Sequence, residues 1–441
     1  FIPVTKRSVF VAITSSSFER ALWLHRVVGR VAVFLAVAHG VWLGIGYHWT
    51  PMGHKHLWRW STGDSFNSLA GTISGICLLL VLIMSLEPIR RRAYSLFFVS
   101  HFLFIPGMGF ALAHVYGTQM PSPFLWAPCV LLFIIDLALY VLDFVVRPTE
   151  VKSMRGVSSH KGKHAVLACT KALHPCLAKC APRKLHFSYR PGQYVFLCVP
   201  KVSLLPHPFT ISSAPSSGNP GDFTLHITAE GKFSSKLVDM ACETGDEPPP
   251  MYVAGPFGVP GVKLEVYEHV LLAAGGVGIT PIASELAAIR EDVAAGRRPN
   301  LRMVHVVWSL RSMPLLREFQ ELFAAFALPT PADLEAGVGG RRRPGPQYSI
   351  RLHLTGQQDM RDMVSLSATL GLPIHRGRPD WGAITRGVAI ATRRLGDSKA
   401  AVGVVVCGPK SMVADVETRC LKGFANVPSC KFHVHTETFL M

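Results

Sequence analysis

The 441-residue chain is 49 % hydrophobic and carries a formal net charge of +17, with a mean hydropathy of +0.30. That length allows two to four domains, and the hydropathy is too high for a wholly soluble protein and too low for one that is membrane throughout. Basic residues are spread thinly rather than gathered in a stripe, which argues against a nucleic-acid partner, and the ten cysteines contain no CxxC pair and offer no disulfide framework.

Four apolar segments come first, at residues 23–46, 69–86, 94–115 and 124–146. Each is close to the ~20 residues that a ~30 Å hydrocarbon core requires, so four membrane helices joined by short loops are expected. Arg20, Arg26 and Arg30 flank the first segment, and Arg90, Arg91 and Arg92 form the second loop. Positive charge marks the cytoplasmic side, so residues 47–67 face the opposite side, with His48, His54 and His56 as surface groups. After the fourth segment the chain is expected in the cytoplasm. Residue 1 is Phe, and no signal-peptide pattern precedes the first apolar run, so the chain is expected to be processed or to begin inside a longer protein.

The first and third segments each hold two histidines: His25 and His39 are fourteen residues apart, His101 and His114 thirteen. Ionisable groups inside a membrane are expensive and usually functional. At 1.5 Å per residue each pair is separated by about 20 Å along its helix. The two segments run in the same direction, so His25 and His101 share an inner level and His39 and His114 an outer one. Two levels with one imidazole from each helix are what two bis-histidine haems stacked across a bilayer need, which makes these four residues candidate ligands to haem iron. Helical phase returns His39 to within about 40° of the face of His25 but leaves His114 about 140° from that of His101. Pro106, Gly107 and Gly109 lie between the second pair, and such residues kink or rewind a helix. The second pair requires that distortion.

Beyond residue 147 the apolar runs shorten. "YVFLCV", "FTLHIT" and "MYVAG" read as strands of a small antiparallel barrel. From residue 263, strands alternate with helical stretches, the pattern of a parallel sheet flanked by helices. Residues 329–347, rich in Pro, Gly and Arg, read as a surface loop. Within "EGKFSSKL", Gly231, Ser234 and Ser235 open a helix whose N-terminus can hold a pyrophosphate. "LLAAGGVGITP" places Gly275, Gly276 and Gly278, followed by Thr280 and Pro281, between a strand and a helix, the setting of a phosphate-cradling loop. Trp308 and Arg311 end the next strand, and Arg376 and Arg378 stand in "RGRPDW". Guanidinium groups suit a phosphate group. Cys176 and Cys180 near His174 lack a fourth ligand for zinc.

"RPGQYVF" and "HPFTISSAP" resemble the FAD-binding signatures of the ferredoxin–NADP reductase superfamily, in the form found in ferric reductases and NADPH oxidases. The resemblance implies that His207, Pro208, Phe209 and Thr210, with Ser213 in the same segment, bind FAD, and that Thr210 lines the isoalloxazine edge. It likewise implies that "GGVGITP" and "CGP", with Cys407, Gly408 and Pro409, meet the pyridine nucleotide, and that Phe439 packs by the flavin. Thr210, Cys407 and Phe439 become the catalytic candidates. The implied molecule is a multidomain membrane protein: an all-α transmembrane haem bundle (residues 1–147), an antiparallel β-barrel FAD domain (148–262) and an α/β parallel-sheet NADPH domain (263–441). The family has six transmembrane helices, so the first two would precede Phe1. The implied activity is transfer of electrons from cytosolic NADPH through FAD and two b-type haems to an acceptor across the membrane. Ferric iron as a chelate is the first expectation and dioxygen, giving superoxide, the alternative. A membrane-anchored flavoreductase with purely structural histidines is the rival from another class.

Overall fold

The computed structural model describes residues 18–48, 68–115, 122–159, 162–180, 182, 186–215, 219–243, 248–258, 263–311, 313–327, 345–356, 359–394, 401–422 and 430–437. The chain divides into two compact units, one ending at Leu142 and one beginning at Asp143.

The first unit is helical: α1 (Phe18–His48), α2 (Ser68–Met84), α3 (Glu87–Arg92), α4 (Tyr94–His101), α5 (Phe104–Val115) and α6 (Ser122–Val146). All four apolar segments are therefore helical. Among the described residues, Ala21–Gly46 and Tyr94–Val115 are long and apolar enough to cross a membrane, while α2 is shorter at 17 residues. Trp23, Phe34, Trp42 and Val99 are exposed, the arrangement expected of side chains that face lipid rather than water. Where α2 meets α5 the residues are small. Ser74 Oγ donates to Gly107 O at 2.8 Å, and a Cβ on Gly107 would stand 3.2 Å from Cys77 Cβ. Small residues let membrane helices approach this closely and hydrogen-bond across.

The third segment is broken at Phe102–Leu103, between α4 and α5. Pro106 has no N–H for the carbonyl four residues earlier, that of Phe102. Phe102 O instead accepts from Ile105 N at 3.0 Å, and Phe102 N and Leu103 N reach back three residues, to Val99 O and Ser100 O. The distortion required by the histidine spacing is thus present, one turn ahead of the proline that causes it.

The second unit begins in the last turn of α6. Its six barrel strands are β1 (Thr149–Ser159), β2 (Gly162–Lys171), β3 (Tyr194–Val199), β4 (Ser203–Thr210), β5 (Asp222–Thr228) and β6 (Tyr252–Phe257). They form two antiparallel sheets, β1-β2-β5 and β4-β3-β6, joined by a bridge between Ile211 and Leu225. Inward and outward residues alternate along β3 and β5, as the two-residue period of a strand with one buried face dictates. Leu167, Val195, Leu197, Leu225 and Ile227 fill the core, closed on one side by α7 (Lys232–Glu243) through Leu237 and Val238.

A six-stranded parallel sheet follows: β7 (His269–Gly275), β8 (Met303–Leu310), β9 (Gln347–Leu354), β10 (Ile374–Arg376), β11 (Ala401–Cys407) and β12 (Lys431–Glu437), in the order β10-β9-β8-β7-β11-β12. Around it stand α8 (Ile279–Ala294), α9 (Met313–Glu318), α10 (Gln320–Ala327), α11 (Met360–Leu370), α12 (Trp381–Arg394) and α13 (Lys410–Lys422). One hydrophobic cluster holds Leu272, Trp308 and Leu352, another Leu271, Val404 and Val406, so both faces of the sheet are buried. Strand order reverses between β7 and β11, the switch point at which open α/β sheets bind ligands. Barrel and sheet form one unit, knitted by Ser284 Oγ donating to Ser213 O at 2.6 Å, by Arg155 pairing with Glu318, and by the His226 ring tilted against Phe319 at 4.4 Å.

Lys171 is fully buried, 2.7 Å from Asp143 Oδ2, donating also to Val253 O and lying 5.7 Å over the Phe144 ring. Arg147 pairs with the same carboxylate. Removing one member of a buried pair typically costs about 3–5 kcal/mol, and with Arg147 still on Asp143 the loss falls at the low end of that range. Lys171→Met is expected to destabilise the second unit by that order, read as a fall in the thermal midpoint of the detergent-solubilised protein. An unchanged midpoint would contradict this.

Candidate functional site

In the membrane unit, the rings of His25 and His101 stand 6.1 Å apart between centroids, and those of His39 and His114 stand 6.4 Å apart. The four histidines therefore meet as two pairs, one from each helix at each level. At a metal–nitrogen distance of ~2.0 Å on either side, two imidazole centroids are separated by roughly 6 Å. The spacing of both pairs fits imidazoles that would hold one haem iron per level. Gly71 on α2 backs the outer pair: a Cβ there would lie 2.7 Å from His114 Nδ1. That glycine was not singled out in the sequence, because its role is set by what crosses it in space.

At the barrel, β4 carries His207, Pro208, Phe209 and Thr210. The His207 ring stacks on Phe233 of α7 at 4.0 Å, Phe209 lies 6.0 Å from Phe233, and Thr210 is buried. Gly231 precedes α7, and Ser234 Oγ accepts from Gly231 N at 2.9 Å and from Glu230 N at 3.1 Å. This is the half of a capping box in which the third helical residue reaches back to the cap. The Ser234 hydroxyl thus serves its own helix, so an anion at this terminus would meet backbone N–H groups rather than that hydroxyl. Ser235 N donates to Gly231 O at 2.8 Å, as the helix's first turn. Ser213 Oγ accepts from Thr224 N at 3.0 Å and bonds the buried Tyr189 hydroxyl at 2.8 Å, so it braces the barrel corner. Burial pushes the Tyr189 phenol up to about 12.

At the switch point, two turns pack backbone to backbone. A Cβ on Gly278 would lie 2.5 Å from Cys407 O, and one on Gly275 would lie 2.6 Å from Pro409 Cδ. Gly408, at φ +159°, closes the same contact against Gly275. Gly276 differs: its φ is +55° and open space surrounds its Cβ position. Gly275 and Gly278 therefore seat one turn on the other, and Gly276 is the glycine with room for a ligand. Its carbonyl accepts from the indole of the fully buried Trp308 at 3.0 Å, so Trp308 positions the loop rather than contacting a ligand. Thr280 Oγ1 donates to Val277 O at 3.1 Å. Pro281 sits in the first turn of α8, where a missing N–H is tolerated.

Cys407 is buried at the end of β11, and burial, then the Glu437 carboxylate, pushes its thiol far up, so the sulfur is a neutral thiol and not a thiolate. Glu437 Oε1 and Glu285 Oε1 lie 3.9 and 3.8 Å from the Cβ position of Gly192, in the "RPGQ" turn of the barrel. Burial raises the Glu285 carboxyl to about 7. This acidic pair had no motif to announce it. Arg311, Arg376 and Arg378 are exposed at the ends of β8 and β10. Phe439 lies outside the described residues.

Two families match the chain: one described as ferric reductase like transmembrane component, over residues 1–112, and one described as FAD-binding domain, over residues 176–261. A superoxide-generating NADPH oxidase heavy chain of Dictyostelium discoideum is 26 % identical over 85 % of this chain and 71 % of its own length. NADPH oxidase 1 of Rattus norvegicus is 24 % identical over 85 % and 70 %. Ferric reduction oxidase 7, chloroplastic, of Arabidopsis thaliana is 28 % identical over 71 % of this chain and 41 % of its own. Among solved structures, a ferredoxin NADP+ reductase from Neisseria gonorrhoeae is similar at 13 % identity and a TM-score of 0.42, covering 65 % of this chain and 98 % of that one.

Because Gly278 abuts a backbone carbonyl, neither partner can yield cheaply. Gly278→Ala is expected to separate the two turns at an overpacking cost of about 1–3 kcal/mol, seen as a lower thermal midpoint. Gly276→Ala meets no neighbour and is expected to carry only the smaller strain of its positive φ. Equal losses in both variants would count against the packing account.

Proposed function

We propose that this chain, a member of the ferric reductase and NADPH oxidase family, carries electrons from NADPH on the cytoplasmic side of a membrane, through FAD and two haems, to an acceptor on the other side. It is an NADPH-dependent flavoprotein oxidoreductase and an integral membrane protein. When bound, the cofactors supply the acceptance of a hydride and its division into single electrons that haem iron can pass on. The observation that carries the reading is the pairing of four imidazoles at two levels with centroid spacings of 6.1 and 6.4 Å.

The residues divide the work by position. His25 and His101 would hold the inner haem and His39 and His114 the outer one, both rings ligating as neutral imidazoles. Each haem would be held between two of these imidazoles and would supply one-electron transfer when bound. On the cytoplasmic side, the 207–210 strand and the backbone at the start of α7 would hold FAD. The Gly276 turn would hold the pyrophosphate of NADPH, and Arg311 and Arg378 its 2′-phosphate. Cys407, kept as a neutral thiol, would present a small, uncharged wall to the nicotinamide. Phe439 is carried as the aromatic candidate beside the flavin.

Ferric iron as a chelate is the proposed acceptor, in keeping with the ferric-reductase description of the matching membrane family and with the plant ferric reduction oxidases. Dioxygen is the second reading, favoured by the wider coverage of the NADPH oxidase relatives.

His39→Ala together with His114→Ala is expected to abolish one of two bis-histidine haem signals and leave the other. Gly71→Ala is expected to weaken that same signal by displacing His114. Retention of both haems in the double variant would sink the assignment and favour a flavoreductase with structural histidines. NADPH-driven reduction of ferric chelate by protein in vesicles is expected to survive added superoxide dismutase. Its complete loss would assign dioxygen as the acceptor.

A further inference from the structure

His353 and His375 are not used by the proposed relay. They are direct partners on parallel neighbours β9 and β10, with Ser309 of β8 in the same row. Paired residues of a parallel sheet point to the same face, and the two imidazoles stack at 5.0 Å with a 28° tilt. The row lies one residue short of the C-terminal ends of β8 and β9, the edge from which Arg311 and Arg378 also emerge. Gly377, between Arg376 and Arg378, turns at φ +93° with open space at its Cβ position and ties its N–H to Leu354 O at 2.8 Å. His353 is half-buried and its Nδ1 is enclosed without a hydrogen-bond partner.

Stacked imidazoles beside arginines make a place that is over-supplied with positive charge once either ring is protonated. The groups facing His353 are His375 from β10 and Arg351 from its own strand, with Ser309 on the β8 side. Burial first, then His375, holds the His353 imidazole below its ordinary value, while the Gly377 backbone favours the proton and Arg351 opposes it. The ring is therefore neutral near pH 7 in the free protein. A dianion placed beside it would reverse the balance, because an opposite charge within ~4–6 Å stabilises the imidazolium. By linkage, a ligand that favours the protonated ring takes up a proton as it binds.

We propose that His353 and His375 form, with Arg378, a proton-linked subsite for a phosphate monoester at the nucleotide edge of the sheet. The subsite would engage the 2′-phosphate of NADPH and take up a proton on binding. This rests on the reading of that edge as the NADPH site and adds to it a coupling between phosphate recognition and pH. A charge-accepting His353 imidazole would make the chain discriminate NADPH from NADH more strongly in mildly acidic surroundings than in alkaline ones.

The test is titration calorimetry of the full chain in detergent with 2′-AMP, 5′-AMP and inorganic phosphate, at pH 7.5, in two buffers of different ionisation enthalpy. At that pH a phosphate monoester, with its second pKa of about 6, is already mostly dianionic, so proton uptake reports the protein. Wild type is expected to take up protons with 2′-AMP and not with 5′-AMP. His375→Gln, at an exposed position, and His353→Gln are each expected to lose that uptake and weaken 2′-AMP roughly tenfold, the scale of one charged hydrogen bond. Binding of 2′-AMP by wild type without proton uptake overturns the subsite and leaves the NADPH edge standing. Proton uptake with inorganic phosphate but not with 2′-AMP overturns the assignment to the nucleotide. Absence of 2′-AMP binding overturns the subsite too, and whether NADPH still reduces the bound flavin then decides if the edge itself was misread.

Discussion

A proline has no N–H to give, and at Pro106 that single absence governs the membrane unit. The carbonyl of Phe102 loses its usual partner and accepts instead from Ile105, three residues on. The helix tightens and breaks just after His101. On an unbroken helix, thirteen residues would leave His114 about 140° away from the face of His101. With the break, His101 meets His25 and His114 meets His39. The first helix needs no such device, since fourteen residues nearly close four turns. The two-level arrangement thus rests on regular winding in one helix and on a local failure of winding in the other. Gly71 then provides the space in which the His114 ring can stand.

The second unit solves a different problem, that of bringing two turns into direct contact. At the switch point of the sheet, the Gly275–Gly278 turn and the Cys407–Pro409 turn touch through backbone atoms, an approach that no side chain would permit. Trp308, buried in the core, fixes the loop through the carbonyl of Gly276. The barrel is attached where this matters: Ser284, on the helix that the loop opens, bonds the Ser213 carbonyl, and the carboxyls of Glu285 and Glu437 flank the Gly192 turn. The residues proposed to hold flavin and nucleotide therefore belong to one continuous packed body.

Several residues changed meaning between the sequence and the fold. Ser234 reads as an anion ligand in "EGKFSSKL", but its hydroxyl caps its own helix. Ser213 reads as part of a flavin signature, but it braces Tyr189 and Thr224. Gly275 and Gly278 read as phosphate glycines, but what crowds them is protein, the Pro409 and Met412 side chains for Gly275 and the Cys407 backbone for Gly278. For Ser234 the partners lie three and four residues back, while for Ser213, Gly275 and Gly278 the neighbour is remote in sequence. Local spacing carries no record of such a neighbour. Glu285 and the His353–His375 pair were invisible for the same reason, being ordinary residues until strand order sets them side by side.

By itself the sequence determined what periodicity and spacing can carry: apolar helices, histidines about 20 Å apart along their axes, the strands and helices of the barrel and sheet, and the glycines at the turn after β7. These follow from the chain's own repeat distances, which hold whatever the rest of the molecule does. Only the tertiary structure decided which groups face one another. It paired the histidines across helices, closed two turns backbone to backbone and buried Lys171 against Asp143. The physical reason is that contact and desolvation depend on separation in space, and a separation of 28 positions from Asp143 to Lys171 or of 22 from His353 to His375 says nothing about it until the strands have found their order.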